Sequence, residues 1–192
     1  EARRYFGLDV QWIPESVFEE ALALYEQALP GKGGIQERLA HHRAQDEIPK
    51  EKLHLLPGLL RRAVEETRRR TDAIIRLPDD GRMEFCFIDG KPIKAMAQYS
   101  GDYRSAIFVN AAIPFHVSEL LSIVSHEGYP GHIAEFVLKE EYLVKWKGYL
   151  EHQAGFLLTP PFVISEGAAL LALEAIFTPG EAEQWMAEHI YP

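Results

Sequence analysis

Between Ser118 and His132 the chain reads Ser-Glu-Leu-Leu-Ser-Ile-Val-Ser-His-Glu-Gly-Tyr-Pro-Gly-His, an apolar run that meets a helix breaker. Val117, Leu120, Leu121 and Val124 fall on one helical face. Pro130 then stands four residues after His126. Its ring would clash with the His126 carbonyl, and its missing N–H interrupts the hydrogen-bond ladder. Proline also pushes Tyr129 out of the α region, and Gly131 is expected to permit a positive φ. Any fold of this chain must therefore bulge or end a helix between Gly128 and Gly131.

The rest of the chain divides into three textures. Residues 1–78 read as helical. Pro14 suits a first helical position, and Val17, Phe18, Ala21, Leu22, Leu24, Tyr25, Ala28 and Leu29 recur at helical spacing before Pro30-Gly31. Further helices are expected over Ile35–Ala44 and Leu59–Leu77. The second carries Arg61, Arg62, Arg68, Arg69 and Arg70, which read as a solvated face paired with Glu65 and Glu66. Residues 79–112 change period. Strands are predicted over Met83–Ile88, Ile93–Tyr99 and Arg104–Asn110, and their short connections predict an antiparallel sheet. Residues 113–192 return to a helical period, with helices expected over Ala134–Trp146, Glu166–Phe177 and Gly180–His189. Ser165 reads as a cap for the helix opening at Glu166, and Thr178-Pro179-Gly180-Glu181 as a capping box. The predicted class is α+β, mostly helical, with a small three-stranded sheet. No linker divides residues 1–192, so one domain, or part of a larger one, is expected.

Composition bounds the function. The chain has 192 residues, with 20 Lys+Arg against 29 Asp+Glu, a net charge of −9. That balance argues against nucleic acid as a partner. At 47% hydrophobic and 26% charged, the chain can bury a core. No run reaches the roughly 18–20 apolar residues of a membrane span. Cys86 alone cannot form an internal disulfide and fits a reducing compartment, so a cytoplasmic location is expected. Flanked by Phe85 and Phe87, it reads as a small core residue.

The chemistry concentrates in His126-Glu127-Gly128-Tyr129-Pro130-Gly131-His132. Two imidazoles with a carboxylate after the first are similar to the metalloprotease pattern His-Glu-x-x-His, in which both His bind zinc and the Glu is general base. Positions six apart on a regular helix differ by about 120° and rise about 9 Å, so on an unbroken helix these two could not share an ion. A two-residue bulge at Pro130-Gly131 would bring His132 back. The same residues also suit a plain helix stop between two surface histidines. Glu166 is a candidate third ligand, because a carboxylate facing an Ala/Leu-rich surface needs a partner. Taken alone, it reads better as an exposed first-turn Glu favoured by the helix dipole.

His-Glu-Gly-Tyr-Pro-Gly-His followed by Ile164-Ser165-Glu166-Gly167-Ala168-Ala169-Leu170 resembles a large bacterial family of mostly uncharacterised proteins. Its marks are His-Glu-x-x-Pro-Gly-His-His and a downstream Glu-Gly-x-Ala, and it is placed with the gluzincin-like zinc metallopeptidases. The likeness extends loosely over residues 80–177. It implies a gluzincin-like core, one zinc ion, His126, His132 and Glu166 as metal ligands, and Glu127 as general base. Where the family often has a second His, this chain has Ile133. Family members are commonly longer, and this chain opens on Glu1 rather than Met, so a catalytic fragment is expected.

The implied substrate is a peptide or small amide. Tyr99, Tyr103 and Tyr129 are candidate oxyanion donors, and Arg104 a candidate carboxylate holder, although a surface ion pair suits Arg104 better. The edge of the strand Ser105–Asn110 is expected to take an extended peptide. His152, between the two motifs, is a further candidate near the metal. Two other readings share these residues: an inactive metallopeptidase-like binding module, and a metal-dependent hydrolase of a non-peptide amide or ester.

Overall fold

The computed structural model describes residues 3, 4, 7, 9, 11–157 and 159–191. The chain falls into two compact units, Glu1–Glu47 and Ile48–Pro192. In the first, α1 (Glu15–Ala28) and α2 (Ile35–Asp46) flank a glycine-rich turn. Pro14 precedes α1 as its N-cap rather than opening it. Arg38 of α2 reaches back to the carbonyls of Glu26 and Leu29 at 3.2 and 3.0 Å, satisfying acceptors that the end of α1 leaves open.

The second unit begins with α3 (Leu56–Asp72). It starts earlier than the pattern suggested, because Pro57 fits the first helical turn. Leu56, Leu60, Ala63, Val64, Thr67 and Thr71 make its buried stripe. The two threonines return their hydroxyls to the carbonyls of Val64 and Thr67. The helix ends sooner than expected, because the Asp72 carboxylate accepts the Leu77 N–H at 2.8 Å and turns the chain away. Of its arginines, Arg61, Arg62 and Arg69 are exposed, as the solvated-face reading expects, and Arg68 and Arg70 are half-buried ties. Glu66 receives both Arg69 and Arg70 at 2.7 Å, and the Arg69 hydrogen bond leads in pulling the Glu66 carboxyl down to about 2. Arg70 also donates to the Ile176 carbonyl and lies over the Phe177 ring.

Three strands follow: β1 (Arg82–Ile88), β2 (Ala95–Tyr99) and β3 (Arg104–Asn110), in the spatial order β1-β3-β2. β2 and β3 pair antiparallel, with Ala97 opposite Ile107. β1 and β3 pair parallel, with Phe85 opposite Ile107. The sheet is thus mixed, not antiparallel. Short connections permit this because β1 skips one strand position, β2 runs back on the far side, and β3 fills the gap. β3 is therefore central, and the edges are β1 and β2. Ile107 and Val109 of β3 are fully buried, whereas Cys86 on β1 is half-buried.

A short 3₁₀ turn at Val117–Glu119 leads into α4 (Leu120–Glu127), whose Leu120, Leu121 and Val124 sit in the centre of the core. α5 (His132–Leu138) continues as a π-helical stretch over Lys139–Lys145. α6 (Pro160–Leu170), α7 (Ala172–Ile176) and α8 (Glu181–His189) complete the unit. Ser165 lies inside α6 rather than capping it, because Pro160-Pro161 starts the helix a turn and a half earlier. At α8 the Glu181 carboxylate accepts the Thr178 N–H at 2.7 Å, which is half of the expected box. Among the described residues no helix is long and apolar enough to cross a membrane.

Candidate metal centre

The helix carrying His126 ends at Glu127, and a new one starts at His132. The four residues between them close their backbone groups on both helices. Gly128 and Tyr129 donate to the Val124 carbonyl, and Gly131 donates to the Ser125 carbonyl at 2.9 Å. The Ala134 N–H crosses the break to the Gly128 carbonyl at 3.1 Å. Glycine is required here, but not for the expected reason. Gly131 has φ −71°, an ordinary value for any residue. A Cβ on it would collide with the His126 and Ser125 carbonyls. A Cβ on Gly128 would stand 2.5 Å from the Val124 carbonyl. Close backbone approach, rather than left-handed φ, fixes both positions.

The break returns His132 to His126. The two rings meet edge to face with centroids 4.8 Å apart. Glu166 of α6 approaches both, with its Oε2 3.6 Å from His126 Nε2 and its Oε1 3.3 Å from His132 Nε2. One donor atom from each of the three lies within 4.8 Å of the others. A tetrahedral ion with ligand bonds of about 2.0–2.1 Å spaces neighbouring donors about 3.3–3.4 Å apart. The two Glu166 separations lie near that edge, one from each carboxylate oxygen, while the group as a whole extends to 4.8 Å, so an ion would draw the donors closer together. His132 is buried, while His126 and Glu166 are half-buried, so the cluster keeps an open side. Two imidazoles and a carboxylate are a donor set that suits a divalent ion.

Glu127 does not point its carboxylate at random. Its Oε2 accepts the backbone N–H of Ala97 at 2.7 Å. In the β2–β3 ladder, Ser100 donates to Arg104 and Asn110 donates to the Lys94 carbonyl. The alternation of antiparallel pairing therefore turns the Ala97 N–H away from β3. Glu127 thus ties the end of α4 to the free edge of β2.

Two polar residues around the cluster were not legible beforehand. Ser165 lies with its Oγ 3.3 Å from His132 Nδ1 and donates to Glu135, which is also paired with Lys139. The usable signal was spacing: Glu135 is one turn from His132, and Ser165 is adjacent to Glu166.

The five other candidates have partners elsewhere. The Tyr99 hydroxyl donates to Glu140 at 2.5 Å, and its ring stacks on Phe136. Burial and that carboxylate both push the Tyr99 phenol far up. Burial alone would raise Glu140, but hydrogen bonds from Lys145 and Tyr99 outweigh it and hold the carboxyl low. Tyr103 donates to Glu141, which raises its phenol, and lies under Lys145. Tyr129 is buried with its ring beneath Arg68, and burial raises its phenol. Arg104 is exposed and faces Asp102 at 3.5 Å. His152 is exposed beside Tyr149.

No family model matches the chain, and no curated protein is similar to it. Among solved structures it is similar to "the putative lipoprotein from Colwellia psychrerythraea", with a TM-score of 0.64 and 16% identity. That match covers 97% of this chain and 34% of the other, so this chain spans about a third of its neighbour's length. At this identity the likeness is one of fold.

Proposed function

We propose that this chain is a zinc-dependent hydrolase with a gluzincin-like core, acting on peptide bonds. The observation that carries the reading is the convergence of His126, His132 and Glu166 to within 4.8 Å of one another, next to a carboxylate anchored by β2. His126 and His132 would hold the ion through Nε2, and Glu166 through its carboxylate. Zinc bound there would polarise a water and offset charge on the carbonyl oxygen.

Glu127 takes the proton role. Its Oε2 is occupied by the Ala97 N–H, which leaves Oε1 to accept the proton of the attacking water and deliver it to the leaving amine. The fixed Oε2 holds the carboxylate in one orientation, so little reorganisation is needed at the moment of transfer.

The peptide track moves from β3 to β2. β3 is enclosed by its neighbours, so its edge is not available for strand addition. β2 is an edge strand, and its outward peptide groups adjoin the Glu127 carboxylate. An extended substrate adding to β2 would run past the general base.

Metal analysis of the purified chain, followed by chelation and refilling, tests the site. One zinc ion per chain is expected, and no uptake would sink the reading. The Glu127→Gln variant should bind metal as wild type but lose about 10²–10⁴-fold of peptide hydrolysis. Full retained turnover would remove Glu127 from this role.

A further inference from the structure

We propose that Ser165, oriented by Glu135, is a positioning residue that fixes the tautomer and ring orientation of His132. This rests on His132 being a metal ligand. The argument follows the hydrogen atoms. Glu135 is paired with Lys139 and accepts from the residues around it. The Ser165 hydroxyl donates to it, so its single hydrogen is spent there. Toward His132 the Ser165 oxygen then offers lone pairs alone, at 3.3 Å from Nδ1. Glu166 is also an acceptor and stands 3.3 Å from Nε2, so in the metal-free ring the two oxygens compete for the proton. An ion on Nε2 would settle that competition, and Nδ1 would then donate its proton to Ser165.

The arrangement uses consecutive residues of α6 at the two ring nitrogens, Ser165 at Nδ1 and Glu166 at Nε2. α5 supplies both the imidazole and, one turn later, the acceptor Glu135. The other tautomer would put a lone pair against the Ser165 oxygen and an N–H at the donor cluster. The second hydrogen-bonded layer around a metal-ligating His typically sets affinity by 10–100-fold.

The test uses the whole chain as wild type, Ser165→Ala, Ser165→Thr and Glu135→Ala. Zinc affinity is measured by competition with a chelator. The His132 tautomer is read from ring ¹⁵N shifts in metal-free protein carrying Glu166→Ala, where no carboxylate competes at Nε2, and zinc affinity is read with Glu166 intact. With Ser165 in place the Nδ1–H form is expected. Ser165→Ala should admit the Nε2–H form and weaken zinc about 10–100-fold. Ser165→Thr, which keeps the hydroxyl, should restore both, and Glu135→Ala should shift both in the same direction as Ser165→Ala. An unchanged tautomer and affinity in Ser165→Ala would overturn the proposal. Wild type that takes up no zinc would defeat the metal reading, while the tautomer would still decide the role of Ser165.

Discussion

Gly131 and Gly167 lie beside the same three donors, yet a methyl group added to each meets opposite surroundings. At Gly131 it would enter the carbonyls of the preceding helix, whereas at Gly167 nothing lies within 4 Å. The contrast extends to the elements that carry them. Leu120, Leu121 and Val124 of α4 and Ile133 of α5 are buried to within a few per cent. On α6, Val163, Ile164 and Leu170 are exposed, and Ala169 is its one buried residue among those described. Two donors thus stand on helices embedded in the core, and the third on a lightly held helix. The lesson is that the imidazole pair is preorganised by folding, while the Glu166 arm depends on polar ties to α5 and on whatever sits between the donors.

The largest effect should come from Gly131→Ala. The added Cβ cannot be accommodated by a side-chain shift, because its obstacles are backbone. A loss of at least about 3 kcal/mol in urea unfolding is expected, and wild-type stability would break the account of the helix junction. Next, zinc at about a hundredfold excess over Kd should add about 2.7 kcal/mol to unfolding. Hydrogen exchange should then slow more in α6 than in α4. Equal slowing in both would erase the asymmetry.

A smaller effect concerns the far anchor of the α6–α7 arm. Glu66 holds Arg70, which in turn holds the end of α7. Because the folded Glu66 carboxyl lies at about 2, below its usual 4.5, its contribution is present above the ordinary carboxylate range. It is lost as pH falls from about 4.5 toward 2. Solvent screening limits it to about 1 kcal/mol. Glu66→Gln should flatten that acid limb of the stability curve, and an unaltered limb would place the acid sensitivity elsewhere. Smallest is Gly167→Ala, with an expected gain of about 0.5–1 kcal/mol from helix propensity alone. A loss would mean that the exposed face of α6 is packed more closely than its surroundings indicate.

Much of the site could be read from residue types and spacing. The misfit of six-residue spacing and the Pro-Gly remedy were both visible, and so were Glu127 and Glu166. What escaped depends on contacts between distant segments. Gly131 was expected to need a positive φ, but its constraint is the neighbouring helix backbone, which no local rule records. Ser165 carries the signature of a cap, yet Pro160-Pro161 starts the helix earlier and frees its hydroxyl for Glu135. The sheet order escaped because strand lengths and turns are the same whether β2 pairs with β1 or passes it. The tyrosines near the motif look like oxyanion donors in sequence, but Tyr99 and Tyr103 are held by the carboxylates of a π-helical turn some forty residues later.

The junction at Gly128–Gly131 can also be read as a shift of register. Removing Tyr129 and Pro130 on paper leaves His-Glu-Gly-Gly-His, the four-residue register of a continuous helix. The pair therefore behaves as an insertion whose phase error is absorbed on the spot, with the donor nitrogens still converging. It also brings something the uninterrupted register lacks: the Tyr129 ring, lodged out of solvent beneath Arg68. The junction thus exchanges a regular helix for an aromatic rivet.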